Sequence, residues 1–259
     1  VRFTDRREAQ TVRGERRVGV LLFGWLALLL GACGLPRDTH GTQERIVRDG
    51  VLRAGLVRHE PWTGLQDGKP TGPEAEAVAK LAEQLGARVS WTVAPEAELM
   101  HALEERAVDV VVGGITAKSP WVKQLGAGQP YLTTRMRVGA PPGQTVPESL
   151  EGASVSVAPG SDAGPQLQAW GARVREVERL HEAPGLRAAW DWQLDGWGYA
   201  AGEDVLREEQ RIWVVPAGEN RWLLTVDRFV LDHAEPIRRR LLASARAGET
   251  PTTSEEDRR

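Results

Sequence analysis

Between residues 50 and 114, apolar runs of strand length alternate with segments of helical period, and this alternation leaves few folds open. "GVLRAGLV" (50–57) reads as a strand. Thr71-Gly72-Pro73 opens a helix with Pro73 near its first turn, where the missing N–H is no loss. Ala75, Val78, Leu81, Ala82 and Leu85 follow at helical spacing, and Gly86 stops the run. "ARVSWTVA" (87–94) is a second strand, and Pro95 opens a helix carrying Leu99, Ala102 and Leu103. "VDVVVGG" (108–114) has no polar alternation, which suits a strand buried on both faces. Strand, helix, strand, helix, strand predicts a mostly parallel sheet flanked by helices.

Residues 139–152, "GAPPGQTVPESLEG", are rich in Pro and Gly and read as a crossover. "ASVSVAPG" (153–160) looks like the first strand of a second unit. Residues 165–210 are less regular and carry Trp170, Trp190, Trp192 and Trp197. "RIWVVPAG" (211–218) reads as a strand, and residues 219–245 as helix with Leu223, Leu224, Phe229, Leu231 and Leu241 on its apolar side. The polar stretch from Gly248 reads as a disordered tail. No internal repeat is visible.

The start of the chain has its own pattern. Arg2, Arg6, Arg7, Arg13, Arg16 and Arg17 precede the uncharged run "VGVLLFGWLALLL" (18–30). A basic segment followed by a short apolar one is the layout of a secretory signal, and the run is too short for a membrane span of about 20 residues. Leu30-Gly31-Ala32-Cys33 resembles a bacterial lipoprotein signal. That resemblance implies cleavage before Cys33, lipidation of its thiol, and a membrane anchor on the periplasmic side of the cell envelope. A short buried helix with a core cysteine is the alternative. Cys33 is the only cysteine, so the mature chain has no thiol chemistry or Cys-based metal site. The six arginines against Asp5, Glu8 and Glu15 place +3 in the signal, leaving about −6 of the net −3 chain for the rest. An acidic balance without a basic cluster argues against nucleic acid as a partner. Residues 33–47 read as a flexible tether.

Residues 51–140 carry landmarks in a recognisable order: a strand, "EPW", "QDGKPTG" leading into a helix, "VDVVVGGIT" and "QPYLTT". "VVPAGENRWLLTVDRFV" follows near the end. The chain resembles bacterial extracellular solute-binding proteins of the amino-acid-binding type. The resemblance implies an α/β, two-lobed periplasmic-binding-protein-like fold with a mostly parallel sheet in each lobe and a shortened second lobe. Lobe 1 is expected over 48–139 and 217–247 and lobe 2 over 143–212, with crossings near Gly139–Gly143 and Val214–Gly218. Ligand sits in the cleft between lobes, and hinge closure signals its presence.

The resemblance also implies site residues. Trp62 stands where a ring stacks on the ligand, and Thr116 where a hydroxyl meets a carboxylate. Gly113 and Gly114 let backbone approach closely. Trp121 stands where amino-acid binders carry an Arg whose fork grips the α-carboxylate; Lys118 or Lys123 would be an imperfect substitute. Ser161 in "APGSDAG" fits the cradle loop, and the adjoining Asp162 reads as the cap of the following helix. Asp191, flanked by Trp190 and Trp192, matches the acid that pairs with a ligand amine. The favoured ligand is therefore neutral or cationic, with weak binding of ordinary free amino acids. His40, His59, His101, His181 and His233 form no metal spacing, and no GxSxG, P-loop or GxGxxG occurs.

The leading expectation is a monomeric, lipid-anchored binding protein that delivers a small-molecule ligand to an ABC transporter permease, without enzymatic activity, cofactor or metal. A degenerate sensor or scaffold lipoprotein and a dehydratase-like enzyme on the same fold are the alternatives. Lytic transglycosylases that carry this lobe pair before a catalytic domain are set aside because nothing follows residue 247.

Overall fold

The computed structural model describes residues 38–248. The expected signal (1–32), Cys33 and the tail beyond Gly248 lie outside the described residues. Among those residues no helix is long and apolar enough to cross a membrane.

The first sheet is built on β1 (Val51–Leu56), which pairs in parallel with β4 (Arg88–Val93) and β5 (Val110–Val112). Two short strands extend it: β12 (Val214–Val215), antiparallel to β5, and β6 (Gly126–Ala127), antiparallel to β12. Helices α1 (Thr42–Asp49), α2 (Pro73–Gln84) and α3 (Glu96–Glu104) flank it, and β2 (Gly64–Gln66) with β3 (Lys69–Thr71) form a hairpin before α2. The uninterrupted apolar run of β5 now has its reason. Val110 and Val112 face a core with Val78, Leu81 and Trp213, while Val111 faces a second core with Leu99, Leu103 and Val214.

The second sheet has the order β11-β7-β10-β8-β9, from β7 (Leu132–Ala140), β8 (Ser154–Val157), β9 (Arg173–Glu176), β10 (Leu186–Trp190) and β11 (Ala200–Arg211). Strands β9, β8 and β10 run parallel, and β7 is antiparallel to both β10 and β11. Its helices are α4 (Ala163–Ala169) and α5 (Asp191–Trp197). Between β9 and β10 there is only the 3-10 turn Leu180–Glu182, where the first lobe has α3 between β4 and β5. The protein is a two-lobed α/β structure whose second lobe is the shorter.

The lobe boundaries differ from expectation. The chain enters the second sheet at Leu132 and leaves it at Arg211, so the crossings fall near 128–131 and 212–213. Gly139–Gly143 instead ends β7 and turns towards β8. Pro/Gly composition marks that turn correctly; the crossings are made by Gly128-Gln129-Pro130-Tyr131 and Ile212-Trp213, outside any strand or helix. β11 escaped the sequence reading because "EDVLREEQR" is mostly exposed and has no apolar alternation; irregularities at Ala201/Val205 and Val205/Arg207 break its register.

Residues 38–47 are not a tether. Glu219, 1 % exposed, accepts from the amides of His40 (2.9 Å) and Thr42 (3.0 Å) and from Arg106 (3.2 Å), which fixes the start of α1. Burial alone would raise the Glu219 pKa, but the Thr42 and His40 hydrogen bonds bring it below the ordinary carboxylate value. Residues 219–245 are two helices, α6 (Asn220–Asp232) and α7 (Ala234–Ala247), broken at His233. α6 packs on the first lobe through Trp222, Val226 and Val230. α7 touches both lobes: Arg240 meets Glu76 of α2 at 3.1 Å, and Ala245 accepts from the Trp197 indole of α5 at 3.0 Å. A Cβ on Gly196 would lie 2.6 Å from that of Ala245, so α5 and α7 cross at a glycine. Residues 217–247 are therefore not confined to the first lobe.

Candidate functional site

The end of β5 is held by a buried carboxylate. Glu74, on the first turn of α2 and 0 % exposed, accepts from the amides of Gly113 and Gly114 at 2.7 Å each. Its other oxygen accepts from the Tyr131 hydroxyl and from the Trp213 indole at 3.1 Å. Burial raises the Glu74 pKa, against the lowering pull of these four hydrogen bonds. The amides of Gly113 and Gly114, where backbone was expected to approach a ligand closely, are thus taken by the chain's own acid.

Gly114 has φ +65°, and a Cβ there would lie 2.8 Å from the Trp62 ring. The indole is 2 % exposed. Its other neighbour is Arg211 at the end of β11, whose guanidinium carbon lies 4.9 Å from the Trp62 ring centre and 5.7 Å from that of Trp190. Arg211 donates to the Gly114 carbonyl at 2.5 Å and to Glu209, and its backbone bridges Thr116. Its Nε is buried with no hydrogen-bond partner among the described residues. Burial lowers the Arg211 pKa, while Glu209, Tyr131 and Glu74 act in the opposite sense.

Side chains two apart on a strand share a face, so Arg207, Glu209 and Arg211 line up. Arg207 meets Glu209 at 2.5 Å and also pairs with Asp162. An ion chain therefore runs from α4 of the second lobe, along β11, to the Gly114 carbonyl of the first. It can clamp the two lobes. It also presents an aromatic-walled guanidinium at their junction, a geometry that suits a carboxylate.

The residues singled out from sequence are placed as follows. Trp62, Gly114 and Thr116 come together around Arg211. Trp121 is 51 % exposed on the 3-10 turn Pro120–Gln124. That turn is tied to α3 by Ser119 Oγ donating to Glu96 at 2.5 Å. Lys118 is exposed, 3.5 Å from the Glu208 carbonyl. The junction has therefore not lost its cation; Arg211 supplies one from the hinge strand. Ser161 Oγ accepts weakly from the Ala163 amide at 3.4 Å. Asp162 pairs with Arg207 and makes no side-chain cap to α4, contrary to the capping expectation. Asp191 heads α5 and accepts from the Trp192 amide at 2.8 Å; burial raises its pKa. Arg211, Glu209 and Glu74 were missed. The only signal available was an Arg and a Glu inside segments that otherwise read as strand and helix.

A two-lobed α/β fold with recognition groups at the lobe junction defines a solute-binding type of protein. Residues 52–235 match the bacterial extracellular solute-binding proteins, family 3, and the chain belongs to that family. It is similar to the membrane-bound lytic murein transglycosylase F of Vibrio parahaemolyticus, 31 % identical over 51 % of this chain and 25 % of that protein. It is 28 % identical to the protein of the same name from Pseudomonas putida, over 88 % of this chain and 51 % of that one. The chain thus spans about half the length of the longest-matching of these two. Among solved structures, the L-cystine solute receptor of Neisseria gonorrhoeae in its unliganded open form shares the fold, with TM-score 0.62 and 18 % identity over 78 % of this chain and 94 % of that one. An ancestral cyclohexadienyl dehydratase does too, with TM-score 0.58 and 16 % identity over 82 % of this chain and 97 % of that one.

These relatives overturn the expectation of a protein without enzymatic activity: the sequence relatives bear an enzyme's name. Setting transglycosylases aside because nothing follows residue 247 does not hold, since the match covers only part of each relative.

Proposed function

We propose that this chain is the solute-recognition lobe pair of a cell-envelope protein akin to the murein transglycosylases it resembles. In this reading it binds a small carboxylate-bearing solute at the lobe junction. The observation that carries the reading is Arg211: a buried guanidinium between Trp62 and Trp190, with an Nε that lacks an acceptor among the described residues. A solute carboxylate would take that Nε and compete with Glu209 for the fork. Hydrogen bonds to charged groups contribute about 1.5–3 kcal/mol each, enough for a ligand to displace one internal contact. Loss of the Arg211 bond to the Gly114 carbonyl would then loosen the lobes, so that occupancy is read as lobe movement. The names of the relatives support murein as the setting. Delivery to an ABC permease is the second reading, and membership of the solute-binding family supports it. Membrane attachment through lipid on Cys33 belongs to both. It is tested by fractionating cells that express the parent and Cys33→Ser; equal membrane retention with no lipid mass on the parent would remove it.

Calorimetry on the chain bearing Cys33→Ser, with free amino acids, small dicarboxylates and soluble murein fragments, tests the site. A carboxylate-bearing solute should bind saturably and lose at least tenfold in Arg211→Met. Equal affinity in Arg211→Met, or no binding by any of the panel, would defeat the reading.

A further inference from the structure

A second cationic site lies away from the lobe junction, where the second lobe meets α7. A cavity of about 350 Å³ is lined by His181, Arg187, Trp197, Tyr199, Ala245 and Arg246. That volume is at the small end of the range for ligand pockets, about 300–1,000 Å³.

Arg187 is the unusual member. It sits on β10, is 6 % exposed, and donates through Nε to the Ala183 carbonyl at 2.7 Å. Its guanidinium carbon lies 4.3 Å from the Tyr199 ring centre and 5.3 Å from that of Trp197. No described carboxylate pairs with it. Several other buried charges of the described chain do sit against an opposite one: Asp109 with Arg53, Glu219 with Arg106, Arg211 with Glu209. A buried charge without a counter-ion is costly, and cation–π contacts of this kind return only part of the cost. The two terminal nitrogens of Arg187 form a planar fork matched to an oxyanion. Arg246, exposed on the last turn of α7, adds a second positive charge at the same cavity. Among the rim residues, His181 lies 3.5 Å from Glu182.

We infer that this cavity binds a small organic anion through a carboxylate received by Arg187 and steadied by Arg246. The site is separate from Arg211 and does not depend on the reading of the lobe junction. Because α7 contributes Ala245 and Arg246 while α5 contributes Trp197, an anion seated there ties α7 to the second lobe.

The test uses the chain bearing Cys33→Ser, titrated with benzoate and glutarate by calorimetry and by the indole N–H resonance of Trp197, assigned through Trp197→Phe. The Trp197 indole donates to Ala245, so a carboxylate in the cavity should shift it. Binding followed at the Trp197 resonance should weaken at least tenfold in Arg187→Gln and about threefold in Arg246→Gln. Arg246→Gln, at an exposed position, keeps the test valid if Arg187→Gln does not fold. A parallel titration of the chain ending at Gly248 separates a free anion from the acidic residues that follow in the sequence, Glu249, Glu255, Glu256 and Asp257. Tighter binding after their removal would support the site, with the chain's own carboxylates as competitors. No saturable binding in either form, binding that leaves the Trp197 resonance unmoved, or equal affinity in Arg246→Gln and the parent would overturn it.

Discussion

Arg211 lies with its guanidinium carbon 4.9 Å from the centre of the Trp62 ring, so the indole expected to stack on a ligand already stacks on a cation from the protein's own hinge strand. The pair joins β11 of the second sheet to the loop after β1 of the first. Its stability rests on Glu209, which balances the buried charge.

Replacing Arg211 by Met keeps the apolar stem and removes the charge. Breaking one side of a buried ion pair costs about 3–5 kcal/mol. Arg211→Met should therefore lower the urea midpoint substantially. Arg211→Met combined with Glu209→Gln should lose less than the sum of the two single losses, because the Arg211–Glu209 contact is removed only once. Strictly additive losses would show that the two residues are not coupled.

Glu74 gives a pH signature. Its folded pKa is raised by burial, so the folded state holds this proton more tightly than the unfolded one. Its contribution to stability is full below the unfolded pKa and is lost as pH rises through the folded pKa. Glu74→Gln cannot ionise and should flatten that part of the profile. Unfolding curves of parent and variant, recorded from pH 4 upwards, should diverge with the parent losing more as pH rises. Parallel profiles would refute the assignment.

Gly114 and Gly143 offer a matched comparison. Both have positive φ, +65° and +81°, but a Cβ meets Trp62 at 2.8 Å only at Gly114. Gly143→Ala should cost about 1–2 kcal/mol from the left-handed backbone alone. Gly114→Ala adds an overlap costing about 1–3 kcal/mol, and its melting temperature should fall further. Equal effects would mean that Trp62 moves aside freely.

Glu219 anchors α1 from the far end of the chain. Its folded pKa is lowered, so its contribution is present above the unfolded pKa and lost as pH falls through the folded pKa. Glu219→Ala should cost about 2–4 kcal/mol, from losing several hydrogen bonds to a charged acceptor. Hydrogen exchange over 42–49 should accelerate more than over α2. Unchanged protection of α1 would show that Glu219 does not anchor it.

The alternation of apolar runs along 50–114 was enough to place β1, α2, β4, α3 and β5, because each element declares its buried face by the spacing of its apolar residues. The Pro73 start and Gly86 stop of α2 are likewise local chemistry. The two-lobe class was legible through motifs in order. What spacing did not reveal was where long-range partners lie. β11 is charged and irregular, and becomes a strand only because β7 offers it a ladder of hydrogen bonds. Residues 42–49 form a docked helix because an acid 177 positions away accepts from Thr42. The cation at the lobe junction could not be found at position 121, since a guanidinium acts through distance in space, and Arg211 reaches Trp62 and Gly114 across about 100–150 residues of chain. The sequence by itself determined the elements of 50–114 and the two-lobe class. Only the tertiary structure decided which charges are buried together, because Coulomb attraction and desolvation depend on proximity and on exclusion of water, neither of which is written in residue order.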